Sequence, residues 1–289
     1  MNTTTANIVS MRHITKHFPG VLANDGVNFD VRPGEIHALL GENGAGKTTL
    51  MNILYGIYQP DAGEIFVRGK RVDIRAPREA IALGIGMIHQ HFRLVPTHTV
   101  AENIVLGLRD KFFNPARATH DKIAEFSEKY RLSVDPGVRV WQLSAGEQQR
   151  VEIVKALYRG ADILILDEPT SMLTPGEVED LFVILQRMAD EGNTIILISH
   201  KLDEVMRISE RITVLCQGRA EATLKTAHTD KRELARLMVG REVLFHTEKT
   251  DREPGKEVLR VEDLHALNDK GLPALKGVSL AVAQGEVLG

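Results

Sequence analysis

Four short apolar runs punctuate the chain: Ile36-His37-Ala38-Leu39-Leu40, Gly84-Ile85-Gly86-Met87-Ile88, Ile163-Leu164-Ile165-Leu166 and Thr194-Ile195-Ile196-Leu197-Ile198. None shows the alternation of a strand with one wet face, and none is long enough for a buried helix, so each reads as a strand covered on both faces. Helical spacing lies between them, in Thr48 to Leu54, in Asp121 to Tyr130 with Ile123, Phe126 and Tyr130 apolar, in the segment carrying Val151, Val154 and Leu157, and in Leu202 to Ile208. Residues 7 to 40 read instead as short strands joined by turns, among them Ile8 to Met11 and Val27 to Val31, with Lys16 to Gly20 between them. A turn at Asp61 to Gly63 precedes a further strand, Glu64 to Val67. Buried strands alternating with helices predict an α/β core.

The four buried runs share a second property: each ends in polar residues. They lead to Gly41, to Gln90, to Asp167-Glu168 and to Ser199-His200. In a parallel sheet these tips fall on one edge, where such sheets bind ligands. The first tip opens GENGAGKTTL, in which Gly41, Gly46, Lys47 and Thr48 have the spacing of a phosphate-binding loop between strand and helix. Glycines let the backbone turn its N–H groups inward on a polyphosphate, and the helix that follows adds the positive end of its dipole. Gly41, Glu42, Asn43, Gly44, Ala45, Gly46, Lys47, Thr48 and Thr49 are therefore the predicted nucleotide-binding residues. Lys47 supplies charge to the terminal phosphates and Thr48 a hydroxyl to Mg²⁺. Asp167 is placed to hold the same ion, Glu168 to polarise the attacking water, Gln90 to touch either, and His200 to contact the γ-phosphate. Phe18 is the candidate to stack on adenine, with a core-facing ring as the equal alternative. His89 and His91 flank Gln90, but no third ligand accompanies them, so they are not read as a metal site. Ser144 and Glu147 have capping-box spacing, and a helix beginning at Ser144 and Gly146 is also able to meet a γ-phosphate from outside.

Composition narrows the class. A chain of 289 residues has room for about two domains, and 43% hydrophobic with 26% charged residues is ordinary for a soluble protein. A formal net charge of −3 with dispersed basic residues argues against nucleic acid as partner. No apolar run reaches the ~18 residues of a membrane span, and residues 1 to 10 lack signal-peptide character, which predicts a cytoplasmic location. The single cysteine, Cys216, lies in an apolar run and reads as a small core residue.

Taken together, the phosphate loop, Gln90, LSAGE at 143 to 147, the Asp167-Glu168 pair and His200 resemble, in identity and order, an ATP-binding-cassette (ABC) nucleotide-binding domain over residues 7 to 243. The resemblance implies a P-loop NTPase core sheet with an antiparallel β subdomain and an α-helical signature subdomain. It implies ATP and Mg²⁺ as ligands, and two cassettes facing head to tail, so that Ser144 and Gly146 serve the partner's nucleotide. Ala145 and Glu147 depart from the commoner Gly and Gln of the signature, and Thr174 stands where many members carry Asp, a position that bears on communication between the two sites. IGMIHQHFRLVPTHTVAENIVLG and LYRGADILILDEPTSMLTPGE look like the importers of simple sugars and nucleosides, with wording closest to the nucleoside branch. That branch implies an ATPase on the cytoplasmic face of the membrane, transmembrane permease subunits and, through them, an extracytoplasmic solute-binding protein. Soluble ABC ATPases of ribosomes or DNA, and a fragment that binds ATP without efficient hydrolysis, are the rival readings. The ribosomal type calls for a long charged linker and the DNA-repair type for a coiled coil between Lys47 and Leu143, and the sequence carries neither.

The same branch carries two cassettes in one chain, and the sequence contains an internal repeat. Val27, Val31, Gly34 and Glu35 align at a constant offset with Val278, Val282, Gly285 and Glu286, and, after a one-residue indel, Val9-Ser10-Met11 lies opposite Leu259-Arg260-Val261. The expectation is a cassette over 7–243, a polar linker over 244–257, and over 258–289 the truncated start of a second cassette, ending in the strand that leads to its phosphate loop. The partner is then the second cassette of a longer chain or a homodimer mate.

Overall fold

The computed structural model describes residues 7–108, 117–240, 255–267 and 273–288. In chain order the elements of the first part are β1 (Val9–Phe18), β2 (Val21–Val31), β3 (Ile36–Leu40), α1 (Lys47–Leu54), β4 (Ala62–Val67), β5 (Lys70–Val72), α2 (Pro77–Ala82), β6 (Ile85–Ile88) and α3 (Val100–Val105). There follow α4 (Arg117–Tyr130), α5 (Ala145–Tyr158), β7 (Ile163–Asp167), α6 (Pro175–Asp190), β8 (Thr194–Ser199), α7 (Leu202–Ile208), β9 (Arg211–Cys216), β10 (Arg219–Lys225), α8 (Lys231–Val239), β11 (Glu257–Leu267) and β12 (Pro273–Ala283). The chain divides into two compact units, residues 1–243 and 244–289. The predicted linker falls almost wholly outside the described residues.

In the first unit a six-stranded sheet runs β10-β9-β3-β8-β7-β6, and a four-stranded antiparallel sheet runs β2-β1-β4-β5. The pairs β3–β8, β3–β9, β7–β8 and β6–β7 are parallel, with only β10 reversed. The continuous apolar runs are explained by what covers each face. Leu164, Leu166, Ile195 and Leu197 pack into a core with residues of α3, α4, α5 and α6. Their chain neighbours Ile163, Ile165, Ile196 and Ile198 point the other way, into a second core with β1, β2, β4 and α1. Each side chain so buried contributes about 1.5–3 kcal/mol relative to exposure, which leaves no place for a polar face on these strands.

Helix starts follow local chemistry. Thr99, Ser144 and Thr174 each cap a helix, and Glu102, Glu147 and Glu177 close the capping boxes. The antiparallel region differs from expectation: in place of short strands, β1 and β2 span 10 and 11 residues, and Lys16 to Phe18 belong to β1. Register shifts between Met11 and Ile14, and again near Lys16, interrupt the period-two alternation by which a long strand would be recognised. At the first of these His13 takes a positive φ of 52°, its N–H held by Asn28 Oδ1 at 3.0 Å.

The second unit is a two-stranded antiparallel sheet of β11 and β12. Its pairs Leu259↔Val282, Val261↔Leu280, Leu264↔Val278 and Ala266↔Leu275 match Val9↔Val31, Met11↔Phe29, Ile14↔Val27 and Lys16↔Asn24 of the first hairpin one for one. The bulge recurs at Asp263, with φ 48° and its N–H donated to Ser279 Oγ at 2.9 Å.

Candidate functional site

Because β3, β6, β7 and β8 are parallel, their carboxyl ends share one edge, and the residues beyond them converge there. A cavity of about 460 Å³ is lined by Phe18, Val21 and Ala23, by Asn43, Gly44, Gly46, Lys47, Thr48 and Thr49, and by Gln90 and Glu168. The loop between β3 and α1 owes its shape to close approaches. Gly44 and Gly46 have φ of 85° and 98°, and a Cβ on Gly46 would stand 2.2 Å from the Ala23 carbonyl oxygen. A Cβ on Gly41 would stand 2.3 Å from the Leu215 carbonyl oxygen, so Gly41 seats the loop on β9, and neither it, the exposed Glu42 nor the buried Ala45 lines the cavity.

Lys47 is buried, and its Nζ donates to the carbonyls of Gly41 at 2.8 Å and Glu42 at 2.9 Å. Burial lowers its pKa, opposed by the charges of Glu168 and Asp167. Thr48 Oγ1 donates to Asp167 Oδ1 at 3.3 Å. Burial raises the Asp167 pKa, the Thr48 bond lowers it, Glu168 raises it and Lys47 lowers it, with a net rise. A hydroxyl and a desolvated carboxylate side by side are a hard-oxygen donor pair suited to Mg²⁺. Glu168, at φ 46°, is gripped from two sides: Gln90 Nε2 donates to Oε2 at 3.3 Å, and His200 Nδ1 lies 2.9 Å from Oε1. A left-handed backbone at a non-glycine residue is costly, and here it belongs to the carboxylate at the centre of the site.

Phe18 is half-buried and lines the cavity with its ring edge-on to Tyr58, centroids 5.2 Å apart, and with Lys16 Nζ 5.5 Å from its centroid. The ring therefore borders the cavity. Ser144 and Gly146 do not line the cavity. They sit at the start of α5, where Ser144 Oγ and Gly146 N–H both donate to Glu177 Oε1 at 3.1 Å. Glu147 accepts from Ser144 N–H at 2.7 Å and so closes the capping box, as the commoner Gln would also do.

Two contributors were not read from the sequence. Asn24 is fully buried and donates from Nδ2 to the Gly46 carbonyl at 3.2 Å, tethering the loop to β2. Its neighbours Asp25 and Gly26 give it the look of a turn residue, which hides the contact. Glu177 was not singled out either, although its place three residues after Thr174 is a cap signal.

A separate cavity of about 280 Å³ is walled by Tyr55, Ile57, Ile81, Met87, His89, Arg93, Glu152, Lys155 and Arg159 among others. Burial, then the charges of Arg93 and Lys155, push the His89 pKa down to about 4. In the segment after Gln90, Leu94 packs on the core, and the Val95 N–H and carbonyl both bond the Asn103 side chain. Among the described residues no cluster of His, Cys, Asp and Glu is arranged to hold a metal ion by itself, and no helix is long and apolar enough to cross a membrane.

Comparison with known proteins agrees with this geometry. The family model for ABC transporters matches residues 24–171. The guanosine import ATP-binding protein NupO of Bacillus subtilis is 50% identical over 284 residues, covering 98% of this chain and 56% of that protein. A ribose import ATP-binding protein, RbsA 1 of Rubrobacter xylanophilus, is 46% identical, with 98% and 56% covered. This chain therefore spans about half the length of the curated relatives it matches. A nucleotide-free ATP-binding cassette from an ABC transporter superposes with a TM-score of 0.73 at 25% identity, covering 82% of this chain and all of that one. Converging on the loop, the acid pair and the sheet that carries them, sequence and fold show that the chain belongs to the ABC transporter family.

Proposed function

We propose that residues 7–243 form an ATP-binding and hydrolysing cassette that powers import of nucleosides through membrane permease subunits. The observation that carries the chemistry is the convergence of Lys47, Thr48, Asp167, Glu168, Gln90 and His200 on one sheet edge. The loop N–H groups and the α1 terminus cradle the phosphates, and Lys47, now holding loop carbonyls, offers its charge to the terminal ones. Thr48 and Asp167 would hold Mg²⁺, with Gln90 as the further candidate from the same sheet edge, and the ion would supply positive charge to the phosphates. Glu168 orients and polarises the attacking water, and His200 fixes the carboxylate from the side opposite Gln90. Phe18 stacks on the base.

Nucleoside as the solute follows the similarity to NupO. A peripheral location on the cytoplasmic face, permease partners and an extracytoplasmic binding protein follow from the same class. The 280 Å³ cavity is our candidate for the permease contact: it is concave, mixes apolar and basic walls, and shares no lining residue with the nucleotide cavity. Ser144 and Gly146 are assigned to the nucleotide of a facing cassette. The hairpin of β11 and β12, which repeats that of β1 and β2, supports reading residues 258–289 as the beginning of such a cassette.

Steady-state ATP hydrolysis against protein concentration, beside Glu168→Gln, tests the assignment. The expected result is activity that grows faster than linearly with concentration and falls about 10²-fold or more in Glu168→Gln. Activity linear in concentration and indifferent to Glu168 overturns it.

A further inference from the structure

Glu177 has a position that capping alone does not require. Its Oε2 accepts from Thr174 N and Thr174 Oγ1, both at 3.0 Å, which completes the start of α6. Its Oε1 reaches across to another helix and accepts from Ser144 Oγ and Gly146 N–H, both at 3.1 Å. One carboxylate thus lies between the N-termini of a 14-residue and a 16-residue helix, where two dipoles favour negative charge. Its pKa is lowered by Thr174 N–H first, then by the Thr174 hydroxyl, with Ser144 and Gly146 adding to the effect against slight desolvation. Gly146 is the residue that makes room: a Cβ there would stand 2.6 Å from Glu177 Oε1, and its φ is not positive, so the glycine serves approach and not backbone conformation.

The two donors to Glu177 Oε1 are the two assigned above to the γ-phosphate of a facing cassette, and two anions do not share one pair of donors. We propose that the Glu177 carboxylate is an internal stand-in for that γ-phosphate: it keeps Ser144 and Gly146 aligned, and it must leave before two cassettes close on ATP. The proposal rests on the assignment of Ser144 and Gly146 to a partner's nucleotide. It makes Glu177 a positioning residue that sets the ATP concentration at which pairing begins, through competition with the phosphate.

The test has two arms on the full chain. In the first, inorganic phosphate is titrated while the Gly146 amide resonance is followed. Glu177→Gln keeps neutral hydrogen bonds to Thr174 and removes the charge, so phosphate is expected to bind about tenfold more tightly than in the unsubstituted chain, the scale of one charge-assisted hydrogen bond. Ser144→Ala added to Glu177→Gln is expected to reverse the gain. Equal phosphate affinity with and without the charge, or no phosphate response in Glu177→Gln when its melting temperature is unchanged, overturns the proposal. In the second arm, ATP-dependent pairing is measured by sedimentation in a Glu168→Gln background. The expected result is half-maximal pairing at about tenfold lower ATP when Glu177→Gln is added. Weaker pairing would overturn the stand-in role. No pairing in either chain, with the first arm positive, removes the head-to-tail assignment and leaves the competition for Ser144 and Gly146 intact.

Discussion

The hairpin of β1 and β2 and the hairpin of β11 and β12 have one register and two fates. Val9, Ile14 and Val27 are at most 1% exposed, whereas their register equivalents Leu259, Leu264 and Val278 are 50%, 43% and 37% exposed. Strand pairing, the bulges and the bend after the second strand recur with local sequence. Gly26 and Gly277 both take positive φ, and Arg32 N–H on Glu35 is matched by Ala283 N–H on Glu286. Burial does not recur, because it comes from what packs on the hairpin. β1 pairs with β4, and the first hairpin shares a core with α1, β7 and β8. The comparison separates what a hairpin's own residues specify, its pairing and its bulge, from what packed elements confer, its burial.

The sharpest test replaces register equivalents. Ile14→Ala is expected to cost about 2–5 kcal/mol in denaturant unfolding of the first unit, the range for a large residue cut from a packed core. Leu264→Ala is expected to change protection of the second hairpin by less than about 1 kcal/mol, read by amide exchange. Equal costs would mean that the second hairpin is covered in solution and would break the contrast.

A smaller difference concerns charge. Glu35 is buried and accepts from Arg32 N–H and Arg211 Nη1, with His37 Nδ1 3.2 Å away, whereas Glu286 is exposed and in the place of His37 stands Leu288. Burial raises the Glu35 pKa, but the His37 and Arg32 hydrogen bonds and the nearby charges of His37 and Arg211 outweigh it, and the net shift is downward from 4.5. Burial lowers the His37 pKa from 6.5 against the pull of Glu35. In both cases the unfolded chain binds more protons, so stability rises with pH. Acidification should weaken the first unit below about pH 6.5, as the unfolded His37 protonates, and further below about 4.5, as Glu35 takes up its proton. Glu35→Gln is expected to cost about 1.5–3 kcal/mol at pH 7 and to flatten the lower part of that pH dependence, while Glu286→Gln changes unit-two protection by a few tenths. Urea unfolding from pH 3 to 8 reads the first and amide exchange the second.

How much the sequence reveals follows the same division. The phosphate loop, the acid pair at Asp167 and Glu168 and the histidine at 200 were legible because short spacing at the end of an apolar run determines both their chemistry and their edge. α7 was placed to the residue, because its amphipathic turns are local. The long first hairpin was not, since its bulges erase the alternation. Asn24 on Gly46 and Glu177 on Ser144 and Gly146 were missed for a different reason: each joins residues 22 or more positions apart, and neither has a motif of its own.

The positive-φ glycines inside β2 and β12 should behave alike. Gly26 has φ 59° with no atom within 4 Å of where a Cβ would stand, and Gly277 has φ 80° with Asp263 Oδ1 2.9 Å from that position. Alanine at either position is expected to cost about 1–2 kcal/mol from backbone strain, with the exposed Asp263 side chain turning aside at Gly277. A cost at Gly26 much above that at Gly277 would show that the buried setting amplifies local strain. Thermal unfolding reads the first and amide exchange the second.

The smallest effect asks whether the shared bulge is specified by its residue or by its register. His13 and Asp263 hold nearly the same left-handed backbone, φ 52° and 48°, and each donates its N–H across the hairpin, to Asn28 and to Ser279. Both side chains are exposed, so changing them disturbs little packing. Glycine removes the left-handed penalty but adds freedom to the unfolded chain, and the two oppose each other. His13→Gly and Asp263→Gly are therefore each expected to shift stability by less than about 1 kcal/mol, with the N–H bond retained. If His13→Gly instead lost several-fold in exchange protection at Ile14 while Asp263→Gly left Leu264 unchanged, the first bulge would depend on its side chain and the second on its register, and the local equivalence of the two hairpins would fail.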